Sequence, residues 1–453
     1  MRRLDRSGRS RRGARRGARL KYCSTRGGSP GVTLSQALTA GIAPDGGLYV
    51  PERLPRAPLE EMPATESLAG AAAMLLRPFF AGDPLAGLLD EITQEAFSIP
   101  APLVSLPQAQ ADHSLLELFH GPTGAFKDFG ARFLASCLSR VPQPGRGPVV
   151  ILVATSGDTG GAVAAAFHGR PGFRVVLLYP AGRIAPLQER QLTGWDGNVQ
   201  SFAVRGSFDD CQRLAKAAFV DAELGARIRL SSANSINIGR LLPQTVAFAA
   251  TSLRVRRTHG CDAGFAVPSG NLGHALACAW AREMGAPIGG IVLAHNANRT
   301  VPDYFATGRW QPRPSVATIA NAMDVGDPSN MERLRFLYPD RETMTARCAA
   351  LSVDDDAIRA RIRAAEREAG VVLCPHSAVA AEAWHRLPED ERRRLHWVVV
   401  ATAHPAKFPD VVEPLIGRAL QPPPALSRLL DRPIRREELA AELPALRDRL
   451  LHA

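Results

Sequence analysis

PVVILVATSGDTGGAVAAAFHGRPGFRVVLLYP, residues 148–180, reads as a strand, a glycine loop, a helix and a second strand. The runs VVILVA and RVVLLY are apolar throughout rather than alternating, as in strands buried on both faces. A helical segment of about ten residues between two such strands is a βαβ unit, which implies a parallel sheet. The rhythm repeats. The strand-like VQSFAVRG (199–206) leads to Ser207, which with Asp210 forms a capping-box pattern opening SFDDCQRLAKAAFVDAEL. IRLSSANS (228–235) leads into the helical NIGRLLPQTVAFAATSL, AGFAVPSG (263–270) into the helical NLGHALACAWAREMGA, and IGGIVLAHN (288–296) is a further strand. LLELFH (115–120) precedes the series and HWVVVATAH (396–404) closes it. These units are enough for two open, mostly parallel sheets in an α/β fold.

A Gly- and Pro-rich stretch, YCSTRGGSPGVTLSQALTAGIAPDGGLYVPERLP (22–55), is loop-heavy, and SLAGAAAMLLRPFF (67–80) is helical. The expected organisation is a basic tail over 1–21, an N-terminal region over 22–105, a catalytic region of two subdomains over 106–420 and a helical extension over 421–453. The smaller subdomain is expected near 130–245, entered through the linker RVPQPGRGP (140–148).

The chain has 453 residues, 45% hydrophobic and 22% charged, an ordinary soluble globular composition. No apolar run reaches the roughly 18–20 residues of a membrane span, and the basic start lacks the apolar core of a secretory signal. Of the formal charge of +11, residues 1–21 carry +9. That tail lacks aromatic residues for base stacking and is read as disordered or as lying upstream of the true start. Nucleic acid is therefore not an expected partner; a nucleic-acid-binding protein acting through the tail is the distant alternative. Seven scattered cysteines without a CxxC pair indicate free thiols in a reducing cytoplasm, and no His/Cys cluster has metal-ligand spacing.

Four of the 55 Lys and Arg residues are lysines: Lys21, Lys127, Lys216 and Lys407. A chain that otherwise uses Arg places Lys127 in HGPTGAFKDFG (120–130). An amine, unlike a guanidinium, can lose its proton when buried and attack a carbonyl. Two glycine- and hydroxyl-rich loops follow strands and open helices: ATSGDTGG (154–161) and PSGNLGH (268–274). Amides at helix starts, approached closely where glycine stands, hold anions. Neither loop is GxxxxGK[ST] or GxGxxG, so ATP and NAD are not indicated. Two anion loops with one lone amine suit a phosphorylated aldehyde cofactor and an anionic substrate.

HGPTGAFKDFG together with ATSGDTGG resembles the threonine synthase family of fold-type-II, tryptophan-synthase-β-like pyridoxal phosphate enzymes. STRGG (24–28), APDGGLYVPE (43–52), NSINIGRLLPQ (234–244), VPSGNLG (267–273), NAMDVGDPSN (321–330) and TAHPAKF (402–408) continue the resemblance in the family's order over roughly residues 22–420. It implies an active site between two subdomains, with pyridoxal 5'-phosphate on Lys127 as the Schiff-base and proton-moving lysine. It also implies cofactor-phosphate binding by Ser269, Gly270, Asn271, Leu272 and Gly273, and Thr402 against the pyridine nitrogen. Asp158 falls beside the cofactor's 3'-oxygen or caps its own helix. The implied substrate is O-phospho-L-homoserine, with Thr155, Ser156 and Thr159 for its carboxylate and Asn237, Arg240 and Arg26 for its phosphate. The implied products are L-threonine and phosphate, made by a cytoplasmic monomer or homodimer. The rival within the fold is a Ser/Thr dehydratase or a phospho-amino-acid phospholyase. His120 is read as a packed strand-end residue in preference to an aid to proton transfer, His404 and Lys407 beside Thr402 are read as structural or as supporting the residues that touch the cofactor, and Asn321, Met323 and Asp324 have no derived role.

Overall fold

A computed structural model describes residues 19–62, 67–106, 113–142, 147–155 and 157–452. Of the expected tail over 1–21, residues 1–18 lie outside the described residues, as do part of the 140–148 linker and Ser156, whereas Leu20 is buried and donates its amide to the Ala81 carbonyl at 3.2 Å. Thirteen strands occur among those described: β1 Tyr22–Ser24, β2 Tyr49–Pro51, β3 Leu103–Ser105, β4 His113–Glu117, β5 Val149–Ala154, β6 Phe173–Pro180, β7 Val199–Arg205, β8 Arg229–Ser231, β9 Ala263–Pro268, β10 Ile288–His295, β11 Ala349–Ser352, β12 His396–Ala401 and β13 Glu437–Ala440.

They form two larger sheets and one small antiparallel pair, β1–β2. One sheet has the order β13-β7-β6-β5-β8 and is parallel throughout. The other has the order β11-β10-β9-β12-β4-β3, parallel except for the β3 edge. The α/β class with two mostly parallel sheets is thus as the apolar runs indicate. All six residues of β5, β9 and β12 are buried.

The helix Asp158–Phe167 shows why its sequence is DTGGAVAAAF. A Cβ on Gly160 would lie 2.6 Å from Thr155 Cγ2 and 2.5 Å from Leu192 Cδ2. Only glycine allows that approach, and the small residues after it are mostly buried. The N-terminal region is built onto the same core: Phe80 meets Phe133 edge-on at 6.2 Å between ring centroids. Residues 421–453, expected to be helical, hold the helices Pro424–Leu430 and Leu443–His452 and also β13, which pairs with β7 as an edge strand. Its pattern of mostly exposed side chains carries no apolar run, which is why periodicity misses it. Among the described residues no helix is long and apolar enough to cross a membrane.

The carboxyl ends of the central strands deliver the predicted motifs. β4 runs into the loop that ends in Lys127, β5 into Thr155–Asp158, β9 into Ser269–Gly273 and β12 into Thr402. Ligands of open α/β sheets bind at that end.

Candidate active site

Those four segments line one cleft of about 570 Å³, together with Arg240, Gln244, His376 and the loop 322–327. Lys127 is the first residue of the helix Lys127–Arg140, and its side chain is 17% exposed. Burial, reinforced by the charges of Lys407 and Arg240, holds its amine below the ordinary lysine value, against the pull of Asp158. Lys127 Nζ lies 3.8 Å from Asp158 Oδ2.

Asp158 begins its helix, yet its carboxylate does not cap it. Oδ1 lies 2.8 Å from Lys407 Nζ and accepts from Gln188 Nε2 at 3.2 Å. Burial alone would raise this carboxyl, but the neighbouring Lys407, and after it Lys127, outweigh burial and hold the group well below the usual carboxylate range. Lys407, read from sequence as structural or as supporting the residues that touch the cofactor, is fully buried and also donates to the Thr123 carbonyl at 2.8 Å.

The glycine loop after β9 carries three marks of an anion site. Leu272 has φ 62°, the one non-glycine residue with positive φ among those described. Strain of that kind persists where function requires it. Gly270 could not carry a side chain, because a Cβ would lie 2.7 Å from Met323 Cα. The hydroxyl of Ser269 is buried without a hydrogen-bond partner among the described residues. An 11-residue helix, Gly273–Glu283, starts here, so its first amides and its dipole favour a negative group. The set suits the phosphate of the implied cofactor, and the Lys127 amine suits its aldehyde. The amide of Asn271 is occupied otherwise: it donates to Ser235 Oγ at 2.6 Å and accepts from the Ser329 amide at 2.5 Å. Thr402 is buried on the cleft wall, its amide donating to Ser377 Oγ at 3.2 Å.

The substrate candidates divide. Arg240 reaches the cleft, is 4% exposed and forms no ion pair among the described residues. One of its nitrogens donates to the Ala233 carbonyl, and Nε has no partner among the described residues. Burial pulls this guanidinium down to about 10. Thr159 lines the cleft. Thr155 lines it too, but its hydroxyl is tied into the loop, accepting from the amides of Gly157 (3.1 Å) and Gly160 (2.9 Å). Ser156 lies outside the described residues.

Asn237 is not brought to the cleft. It caps the helix Ile238–Leu241 by accepting from the Gly239 amide at 2.9 Å, and its Nδ2 donates to Leu38 and Ser232 carbonyls. Arg26 is also elsewhere: it lines the neighbouring groove, 55% exposed, and pairs with Glu332 at 3.1 Å. His120 is bound to Glu117 at 2.7 Å and is more exposed than a packed strand-end residue. His404 caps the turn Pro405–Lys407.

The structure gives the NAMDVGDPSN motif a role. Asn321 Nδ2 donates to Gln188 Oε1 at 2.9 Å, tying the loop to Asp158's partner. Met323 packs its backbone on Gly270, and Ala322 donates to His376 Nε2 at 3.1 Å. Burial lowers His376 to about 4, so it stands as a neutral acceptor. Asp324 accepts from Thr318, Asn296 and Asn298, and burial raises its carboxyl to about 6. Gln188 and His376 escaped the sequence reading, since nothing local marks them.

Residues 96–403 match the family model described as pyridoxal-phosphate dependent enzyme, residues 21–97 the threonine synthase N terminus, and residues 377–449 the threonine synthase C-terminal model. The chain is 38% identical to threonine synthase of Escherichia coli K12 over 423 residues, covering 93% of this chain and 97% of that one. The crystal structure of the Escherichia coli enzyme superposes with a TM-score of 0.86, covering 95% of this chain and 99% of that chain at 38% identity. A pyridoxal-phosphate-bound threonine synthase from Brucella melitensis is equally similar in shape, with a TM-score of 0.86 at 34% identity, covering 96% of this chain and 99% of that chain. With its cleft, its lysine and its anion loop, the chain belongs to the threonine synthase family of pyridoxal-phosphate-dependent lyases.

Proposed function

We propose that this chain converts O-phospho-L-homoserine and water to L-threonine and phosphate. One observation carries the reading. A single cleft holds the Lys127 amine, kept below its ordinary pKa by burial, a glycine loop suited to a phosphate, and a buried arginine that forms no ion pair among the described residues. Bound there, pyridoxal phosphate supplies an aldehyde for the amine and a ring that withdraws electrons from the substrate's Cα–H bond.

The residues then divide the work. Residues 269–273 would hold the cofactor's phosphate, and Thr402 would offer its ring nitrogen a neutral hydroxyl, which would not keep that nitrogen protonated. Lys127 removes the Cα proton and then moves protons at Cβ and Cγ. Arg240 holds the substrate phosphate, which leaves Cγ with the electron pair of the C–O bond. Its planar donors can take two phosphate oxygens. Thr159, on the cleft wall, binds the carboxylate and keeps the Cα–H bond fixed against Lys127. Water adds at Cβ, and Lys127 returns a proton to Cα. Asp158, its negative charge balanced by Lys407, would hold the cofactor on the side of its 3'-oxygen.

The match of residues 21–97 to the threonine synthase N terminus favours this reading over a Ser/Thr dehydratase or a phospho-amino-acid phospholyase. The seven cysteines are free, in keeping with a cytoplasmic enzyme, and a monomer or homodimer acting without nucleic acid completes the proposal. Borohydride reduction of the cofactor-loaded protein, followed by peptide mass mapping, tests the assignment. The reduced cofactor's mass should sit on Lys127; finding it on Lys21, Lys216 or Lys407 would overturn the site.

A further inference from the structure

Two amines share one carboxylate beside the cleft. Lys407 Nζ lies 2.8 Å from Asp158 Oδ1, and Lys127 Nζ lies 3.8 Å from Asp158 Oδ2. One carboxylate balances one ammonium. The contact of hydrogen-bond length belongs to Lys407, which is fully buried, so its charge depends on protein partners. Among the described residues it has two: Asp158 and the Thr123 carbonyl at 2.8 Å. Lys127 is the more open of the two amines and the one that lines the cleft.

We infer that Lys407 is a positioning residue, the counter-cation that claims Asp158 and so leaves Lys127 at the cleft as a free amine ready to attack a carbonyl. The inference rests on the reading of Lys127 as the cofactor-bound lysine. A neighbouring cation is one of the known ways to activate a lysine nucleophile. The other charged groups around the trio agree with it. Arg240 faces Lys127 and adds a second positive charge, while His376 faces Asp158 as a neutral ring. Asp128, the other carboxylate that senses Lys407, is occupied by the amide and hydroxyl of Thr123, and His404 nearby is held neutral by burial.

The geometry also accounts for a second lysine in an arginine-rich chain. A Cβ on Gly124 would lie 3.3 Å from Lys407 Cδ and 3.5 Å from His404 Cβ, so the space around the stem is narrow. A compact ammonium fits between Asp158 and Thr123 where a planar guanidinium would need more room.

Four lysines make the test direct. The full chain, isotope-labelled at lysine Cε, gives few resonances, and the one missing in Lys127→Met is that of Lys127. In wild type this resonance should report a neutral amine at a pH where an ordinary lysine is charged. In Lys407→Gln, which keeps an N–H for Thr123 and Asp158, Asp158 is left to Lys127. The Lys127 titration should then move up by about 1–3 pH units, the range for one close opposite charge. The pH-dependent absorbance of the cofactor-loaded enzyme should move the same way. If Lys407→Gln does not fold, Lys407→Met removes the same charge and is read in the same way. A Lys127 titration that stays in place or moves down would overturn the inference, and lost thermal stability with no shift would make Lys407 a structural latch only. A protein that binds no cofactor would instead overturn the proposed function, while the lysine titration would still report on Lys407.

Discussion

Gly270→Ala is the sharpest structural perturbation of the cofactor loop. An alanine Cβ at this position would lie 2.7 Å from Met323 Cα, 3.1 Å from its carbonyl oxygen and 3.2 Å from its carbonyl carbon. Carbon atoms in contact prefer about 3.5–4.0 Å, so one backbone must retreat by roughly 1 Å. The Met323 side is anchored, with Asn321 held by Gln188 at 2.9 Å and Asp324 held by Asn296 at 2.7 Å. The loop 269–273 must therefore move, and it is the segment assigned to the cofactor phosphate. Overpacking of this kind costs about 1–3 kcal/mol. If the cost falls on the cofactor-bound state, affinity for pyridoxal phosphate drops by roughly 5- to 150-fold. Equilibrium dialysis against pyridoxal phosphate measures it. Gly225→Ala, in a short helix with nothing within 4 Å of the new Cβ, is the control. A Gly270→Ala protein with wild-type cofactor affinity would refute the argument that this loop is held in place and grips the phosphate.

Three further outcomes follow from the same geometry. Arg240→Ala should lower kcat/KM for a phosphorylated substrate by roughly 10- to 100-fold, the loss of charge-assisted hydrogen bonds worth about 1.5–3 kcal/mol; a change below about two-fold would remove Arg240 from the substrate site. Asn237→Ala should cost about 2–3 kcal/mol of stability in denaturant titration and leave KM unchanged, because its amide caps a helix and binds two carbonyls; a raised KM in a stable variant would return Asn237 to the substrate site. Asp324, raised by burial to about 6, binds its proton more tightly folded than unfolded. Its stabilising effect is therefore complete below about pH 4 and lost as pH rises through about 6. At 1.36 kcal/mol per pH unit the loss is at most about 3 kcal/mol, and it should vanish in Asp324→Asn; wild-type and variant stability curves that run parallel from pH 4 to 7 would contradict it.

The sequence carried much of this because strong local signals coincide with the site. β5, β6, β9 and β12 are long buried runs, and the loops that bear Lys127, Asp158, Ser269 and Thr402 leave the ends of central strands. The Ser207–Asp210 capping box is present as read, the Asp210 amide donating to Ser207 Oγ at 3.2 Å and the Ser207 amide to Asp210 Oδ2 at 2.8 Å. The edge strands β3, β11 and β13 were illegible, since three- and four-residue half-exposed segments have no apolar run. Asn237 misled because a capping asparagine and a ligand asparagine look alike inside one motif. Lys407 and Gln188 acquire their importance only through long-range approach: Lys407 meets Thr123 across 284 residues and Asn321 meets Gln188 across 133. No periodicity or local spacing encodes such meetings.

The most direct test of the central claim is product analysis. Purified protein loaded with pyridoxal phosphate is given O-phospho-L-homoserine, and the products are separated by chromatography. Threonine and phosphate should appear in equal amounts, with the formation of both abolished in Lys127→Ala. Phosphate accompanied by 2-oxobutyrate, or threonine formed without Lys127, would contradict the account.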